Sequence, residues 1–196
     1  MKEEVIEIRK KLKKKLNPKR YEHTLGVAYT SQALAMRYGE DLGKAQLGGL
    51  LHDCAREFEH EEIYKRCLKE GISITKEEEN NKVLLHAKYG SFLAEKKYGI
   101  TDEEILSAIR FHTTGKPEMT LLEKIVYLAD YIEPDRDKAP NLLEIRKMAF
   151  IDIDEAIYET LHDVLDYLDG NVDSKSESLK AYQYYKKIHD EKETKR

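Results

Sequence analysis

The sequence predicts an all-α fold. Apolar residues recur at three- and four-residue spacing, helix caps and glycine stops punctuate the chain from end to end, and no alternating run of useful length marks a β-strand. Val5, Ile8, Leu12 and Leu16 trace the inner stripe of a first helix, and Asn17-Pro18 both ends it and opens the next. The second helix is expected from Pro18 to Tyr38, with Gly39 in the C-terminal capping position. Asp41 opens a third, with Leu47, Leu50 and Leu51 facing inward as far as His52-Asp53. Gly48-Gly49 inside it lowers helix propensity, which points to close approach of a neighbouring backbone. A fourth runs from about Glu61 to Glu70 and stops at Gly71.

Capping boxes follow, each a Thr answered three residues later by Glu: Thr75 with Glu78, Thr101 with Glu104, and Thr120 with Glu123. The last two open helices at about 102–112 and 121–132. Between the first box and the second, "VLLHAKYGSFLAEKKYG" reads as a helix ending at Gly99. Pro134 and Pro140 bracket a charged loop, "EPDRDKAP". Two more helices at about 142–149 and 153–169 stop at Gly170, and a last one spans about 176–190.

At 196 residues, the whole chain, 1–196, is expected to form a single domain large enough for a true core. A net charge of −4 argues against a general nucleic-acid binder, whose footprint is a strongly basic surface. No stretch approaches the length of a membrane span, and "MKEEVIEIRKKLKKKL" lacks the apolar centre of a secretory signal, so neither membrane nor export is expected. Cys54 and Cys67 form neither a disulfide framework nor a zinc-ligand spacing, and the cytoplasm is the expected compartment.

The chemistry lies in polar residues that interrupt apolar helical faces. "GGLLHDCARE" ends a leucine-rich helix in His52-Asp53, and a buried, unpaired carboxylate is costly. His23 shares a face with Val27 and Leu34, His86 follows "VLL", His112 follows Ile109 and Phe111, and Asp130 interrupts "IVYLADYI". His60, His162 and His189 lie among charged residues and are expected at the surface. Taken singly, a histidine on an apolar face reads as a satisfied core residue, and an acid such as Asp130 as a helix cap or the partner of a buried arginine. Taken together, four histidines and two aspartates from several helices make a site for a divalent cation in the bundle interior, for which iron, manganese and zinc have suitable ligand chemistry.

The order His, His-Asp, then a later Asp resembles the HD-domain metal-dependent phosphohydrolase superfamily. The stretches "RYEHTLGVAYTSQALA", "AQLGGLLHDCARE", "LLHAKYG", "IRFHTTGKPEMTLLEKIVYLADYIEPDR" and "LLEIRKMAF" resemble more closely its YqeK-type branch of symmetrical diadenosine tetraphosphate hydrolases. The resemblance implies an HD-type catalytic core over residues 18–170, followed by a C-terminal helix and tail over 171–196. It implies His23, His52, Asp53 and Asp130 as metal ligands, with iron the expected ion, as one or two ions. His86 and His112 then either hold a second ion bridged through Asp53 or act as catalytic groups that donate to phosphate or protonate the leaving group.

The implied nucleotide contacts are Arg20, Asp53, Cys54, Ala55, Arg56, His86, His112, Thr113 and Arg136. From its own chemistry Cys54 reads as a small packing residue, and Arg110, Lys88 and Lys116 are further cations close in sequence to proposed ligands. The implied reaction is attack of water on the tetraphosphate bridge, releasing two ADP. A dinucleoside polyphosphate is the implied partner, and a homodimer is compatible with the resemblance. The alternatives are an HD-type hydrolase of another nucleotide, a non-catalytic nucleotide sensor, and a plain helical interaction domain with core histidines. The sequence lacks the "GYP" signature of cyclic-dinucleotide enzymes.

Overall fold

The structure, a computed structural model, describes residues 2–167 and 176–195. Among these residues there are α-helices and short 3-10 turns and no strand. The helices are α1 (Lys2–Lys15), α2 (Pro18–Tyr38), α3 (Leu42–Leu51), α4 (His60–Lys69), α5 (Lys76–Asn80), α6 (Leu85–Tyr98), α7 (Glu103–Phe111), α8 (Leu121–Ile132), α9 (Leu142–Met148), α10 (Ile153–Tyr167) and α11 (Glu177–Glu193). The all-α expectation holds, and most helix ends fall where their caps stand. Asn17 accepts the Arg20 N–H at 2.8 Å with Pro18 in the first turn, and Thr75 and Thr120 each close a full capping box with Glu78 and Glu123. No helix among the described residues is long and apolar enough to cross a membrane.

Three expectations are corrected. Asp102, not Thr101, caps α7, because its carboxylate reaches the N–H groups of both Glu104 and Ile105. The helix expected from Val83 begins instead at Leu85, after a 3-10 turn over Lys82–Leu84. His60 and His189 are half-buried: His60 faces Arg56 at 3.0 Å, and His189 stacks on Tyr158 with Nδ1 2.6 Å from Glu155. The stop expected at Gly170 lies outside the described residues.

The architecture centres on α3, which packs against α2, α7 and α8, while α6 packs on α7 and on the turn that follows α3. The α10–α11 pair joins through α8 and α9, and α1 covers α2 and α3. Leu50 and Leu51 of α3 are essentially solvent-free. Each contributes about 2–3 kcal/mol, which outweighs the ~1 kcal/mol of helix propensity lost at each neighbouring glycine.

Those glycines set the spacing. A Cβ on Gly49 would stand 2.7 Å from Ala28 Cα and 3.0 Å from the Ser31 hydroxyl, and one on Gly48 would stand 2.9 Å from Val126. Gly49→Ala is therefore expected to destabilise the protein despite its better helix propensity, because the opposing atom is backbone of α2. Overpacking of this kind costs about 1–3 kcal/mol. A thermal melt should show Tm lowered by about 2–8 °C; an unchanged or raised Tm would refute the close-approach reading.

Candidate metal centre

Each candidate ligand stands at or near a helix terminus pointing into one interior space. His23 lies in the second turn of α2, behind the Asn17-Pro18 cap. His52 follows α3, and at Asp53 (φ −107°, ψ 18°) the chain leaves the helix for a 3-10 turn over Cys54–Glu57. His86 lies in the first turn of α6, His112 follows α7, and Asp130 occupies the last turn of α8. These residues are far apart in sequence, and the crossing of α2, α3, α6, α7 and α8 brings them together.

The four imidazoles share one orientation rule. Nδ1 of His52, His86 and His112 lies 2.6, 2.5 and 2.7 Å from the carbonyl oxygens of Gly49, Val83 and Ile109, each three residues earlier in its own turn. Nδ1 of His23 lies 3.1 Å from Glu133 Oε1. A carbonyl or carboxylate oxygen only accepts, so Nδ1 carries a proton, and in the neutral ring Nε2 presents a lone pair. The Nε2 atoms converge in pairs, His23 with His52 at 3.3 Å and His86 with His112 at 3.1 Å.

Asp53, 2% exposed, lies between the pairs. Its Oδ2 is 3.5 Å from His52 Nε2 and 3.9 Å from His23 Nε2, while Oδ1 is 3.3 Å from His86 Nε2 and 3.8 Å from His112 Nε2. Asp130 Oδ1 completes the first pair at 3.1 Å from His23 Nε2 and 4.0 Å from His52 Nε2. The donor atoms of His23, His52 and Asp130 form one compact group, and those of His52, Asp53 and His112 another, each within 4.8 Å. Lone pairs facing lone pairs repel in a dry interior; a cation between them removes both that repulsion and the cost of the buried carboxylates. The residues fit a divalent ion, and this interior arrangement can hold one.

Electrostatics agree with the geometry. Burial pushes the His86 imidazole down to about 3 and the His112 imidazole down to about 4, so both are neutral donors near pH 7. Burial also disfavours charge on His52, but the adjacent Asp53 outweighs it and raises the pKa. Burial opposes ionisation of Asp53, yet His52, His86 and His112 hold its carboxyl well below the usual range. Asp130 is likewise held low against its burial, by the neighbouring His23 and His52.

The cations divide into two sets. Arg20 Nη1 is 2.7 Å from Asp53 Oδ2, and Arg56 reaches Asp53 Oδ1 at 3.3 Å and His86 Nε2 at 3.4 Å. Arg136 Nη2 bonds the Asp130 carboxylate at 2.9 Å and its carbonyl at 2.8 Å, leaving a buried Nε without a partner. Arg20, His23 and Arg136 line a cleft of about 670 Å³ at the His23 edge of the site. The other set is elsewhere: Lys88 is buried against Glu78 and the Ser73 carbonyl, Lys116 pairs with Glu123, and Arg110 is exposed beside the Phe111 ring.

The Thr113 hydroxyl lies 3.1 Å from Nε2 of both His86 and His112. Cys54 and Ala55, expected as nucleotide contacts, are 1% and 0% exposed, and the Cys54 thiol donates to the Gly90 carbonyl. Burial also pushes the Cys54 thiol pKa up, in keeping with a packing residue.

Glu133 was missed by sequence reasoning, which read it as part of a charged loop. It is 3% exposed, with Oε1 oriented on His23 and Oε2 accepting the Asp135 N–H at 2.8 Å. Gly26, one turn beyond His23, leaves it room, since a Cβ there would stand 2.6 Å from Glu133 Oε2. The available signal was a glycine on the His23 face together with an acid one turn after Asp130.

The family profile described as the HD domain matches residues 20–135. A Bacillus subtilis protein called bis(5'-nucleosyl)-tetraphosphatase, symmetrical, is 40% identical over 157 residues, which is 80% of this chain and 83% of that one. A Staphylococcus aureus protein of the same description is 37% identical over 186 residues, covering 92% of this chain and 94% of its own. A crystal structure from Clostridium acetobutylicum, described as a predicted HD superfamily hydrolase involved in NAD metabolism, superposes with a TM-score of 0.87 at 40% identity, covering 93% of this chain and 96% of that one. By profile, sequence and structure, the chain belongs to the HD domain family.

Proposed function

We propose that this protein is a metal-dependent hydrolase that cleaves diadenosine tetraphosphate symmetrically to two ADP. The carrying observation is Asp53, whose two oxygens face two separate imidazole pairs, so that one carboxylate would serve a cation held at either pair. His23, His52 and Asp130 would hold one ion, and His86 and His112 the other. A divalent cation bound there polarises a phosphoryl oxygen and acidifies water. Iron is our assignment, since imidazole and carboxylate donors suit it, and the cytoplasm is the assigned compartment, consistent with two free, buried cysteines. The names of the relatives support the substrate and the symmetry of the cut.

The chain's own residues supply the rest. Arg20 and Arg56 stand beside Asp53 and Arg136 beside Asp130, and their guanidinium groups offer forked donors to phosphate oxygens. Glu133 fixes the His23 ring so that its Nε2 stays directed into the site. Thr113 offers a hydroxyl beside His86 and His112. Water adds to one of the two inner phosphorus atoms, the central P–O–P bond breaks, and each half leaves as ADP, with the water's protons passing to solvent.

The test is product analysis with anaerobically purified, iron-loaded protein and diadenosine tetraphosphate, the nucleotides being resolved by anion exchange. ADP as the only product is the expected result. ATP with AMP would overturn the symmetrical cut, and no turnover with metal bound would overturn the substrate.

A further inference from the structure

We propose that Arg146, which touches none of the candidate ligands, is the positioning residue for the Asp130 edge of the centre; this rests on His23 and Asp130 being metal ligands. Helix α8 ends at Ile132 and leaves carbonyls without intrahelical donors. Arg146, projecting from α9, takes them up. Its Nε donates to the Ile132 carbonyl at 2.9 Å, and its Nη2 to those of Glu133 at 2.6 Å and Arg136 at 3.0 Å, with the Pro134 carbonyl at 3.2 Å. One guanidinium thus gathers carbonyls from a five-residue turn.

That turn carries two working side chains. Glu133 orients His23, and Arg136 grips Asp130. Carbonyl dipoles directed at one point repel each other unless a cation stands among them, so removing the guanidinium favours opening of the turn. Opening it moves the acceptor away from His23 Nδ1 and the counter-charge away from Asp130. The base of the loop is held independently by buried Asp163, which accepts from the Tyr131 hydroxyl at 3.2 Å and from the Asn141 amide at 2.9 Å. Losing Arg146 therefore loosens the turn while α8 and α9 stay connected to α10. Lysine is a poor substitute, because its donors radiate from one nitrogen and lack the planar fork.

The experiment compares wild type with Arg146→Ala, Arg146→Lys and a control, Arg37→Ala, which removes an arginine–carbonyl bond to Phe150 just beyond α9 but remote from the ligands. Metal affinity is measured by competition with a chromogenic chelator, alongside thermal melts and hydrogen exchange of the Asp135 and Arg136 amides. Arg146→Ala is expected to weaken metal binding about 10–100-fold, as loss of an outer-shell partner does. Its two amides should exchange faster while its Tm matches that of Arg37→Ala, and lysine should restore little. Arg146→Ala binding metal within twofold of wild type overturns the proposal, as does equal weakening in Arg37→Ala. If the alanine variant does not fold, Arg146→Lys with wild-type affinity and exchange overturns it. A wild type that takes up no metal overturns the ligand assignment itself, and the proposal with it.

Discussion

Asp53→Asn is expected to strip the protein of metal and lower kcat/KM by about a thousandfold or more. The carboxylate faces both imidazole pairs and both Arg20 and Arg56. The amide keeps the volume but replaces one acceptor oxygen with a donor. In one orientation that NH2 faces Arg20, and in the other Arg56, so like polarity meets like and one imidazole pair loses the carboxylate oxygen it faces. Metal-assisted charge stabilisation is worth several kcal/mol, and ~4 kcal/mol corresponds to about three orders of magnitude in rate. Elemental analysis together with steady-state kinetics checks the result. Wild-type metal content in the variant would remove Asp53 from the ligand set, and a core-histidine domain with no metal predicts zero content in both proteins.

His86→Ala and His112→Ala are expected to reduce bound metal from two ions per chain to one and to lower kcat by about a thousandfold. The low pKa values of these imidazoles, about 3 and about 4, leave no proton to donate near pH 7, which favours ligands over general acids. A general acid in this position predicts an unchanged ion count and loss of the basic limb of the pH–rate profile.

The same values set a stability signature in the metal-free protein. An unfolded histidine titrates near 6.5, so on acidification the unfolded chain takes up protons first. The stabilisation from His86 and His112 is present above that value and is lost as the pH falls toward about 4, each contributing ~2 kcal/mol of loss by about pH 5. His52, whose pKa is raised, acts in the opposite sense: its contribution is complete below 6.5 and disappears as the pH rises through its folded value. Metal-free wild type should therefore lose more Tm between pH 7 and pH 5 than His86→Ala, and parallel losses would overturn the assignment of burial as the cause.

The sequence by itself determined the helices and the candidate ligands. Caps such as Asn17-Pro18, Asp41 and the Thr120–Glu123 box act over three or four residues, so local chemistry is enough to locate them. His23, His52, Asp53, His86, His112 and Asp130 were legible because each interrupts an apolar face, where a polar group needs a reason to be buried. The glycine pair in α3 was legible on the same grounds, as a local cost that only a close neighbour explains.

Tertiary structure alone decided which partners complete them. Glu133 meets His23 across 110 residues. Arg146 closes on a turn that reads in sequence as a charged loop. Cys54 and Ala55 adjoin the candidate ligand Asp53 in sequence, but the 3-10 turn that directs Asp53 toward the imidazoles packs them against α6. Such contacts leave no period in the chain. They depend on where helix ends come to rest, and those positions follow from packing the whole core rather than from any local run of residues.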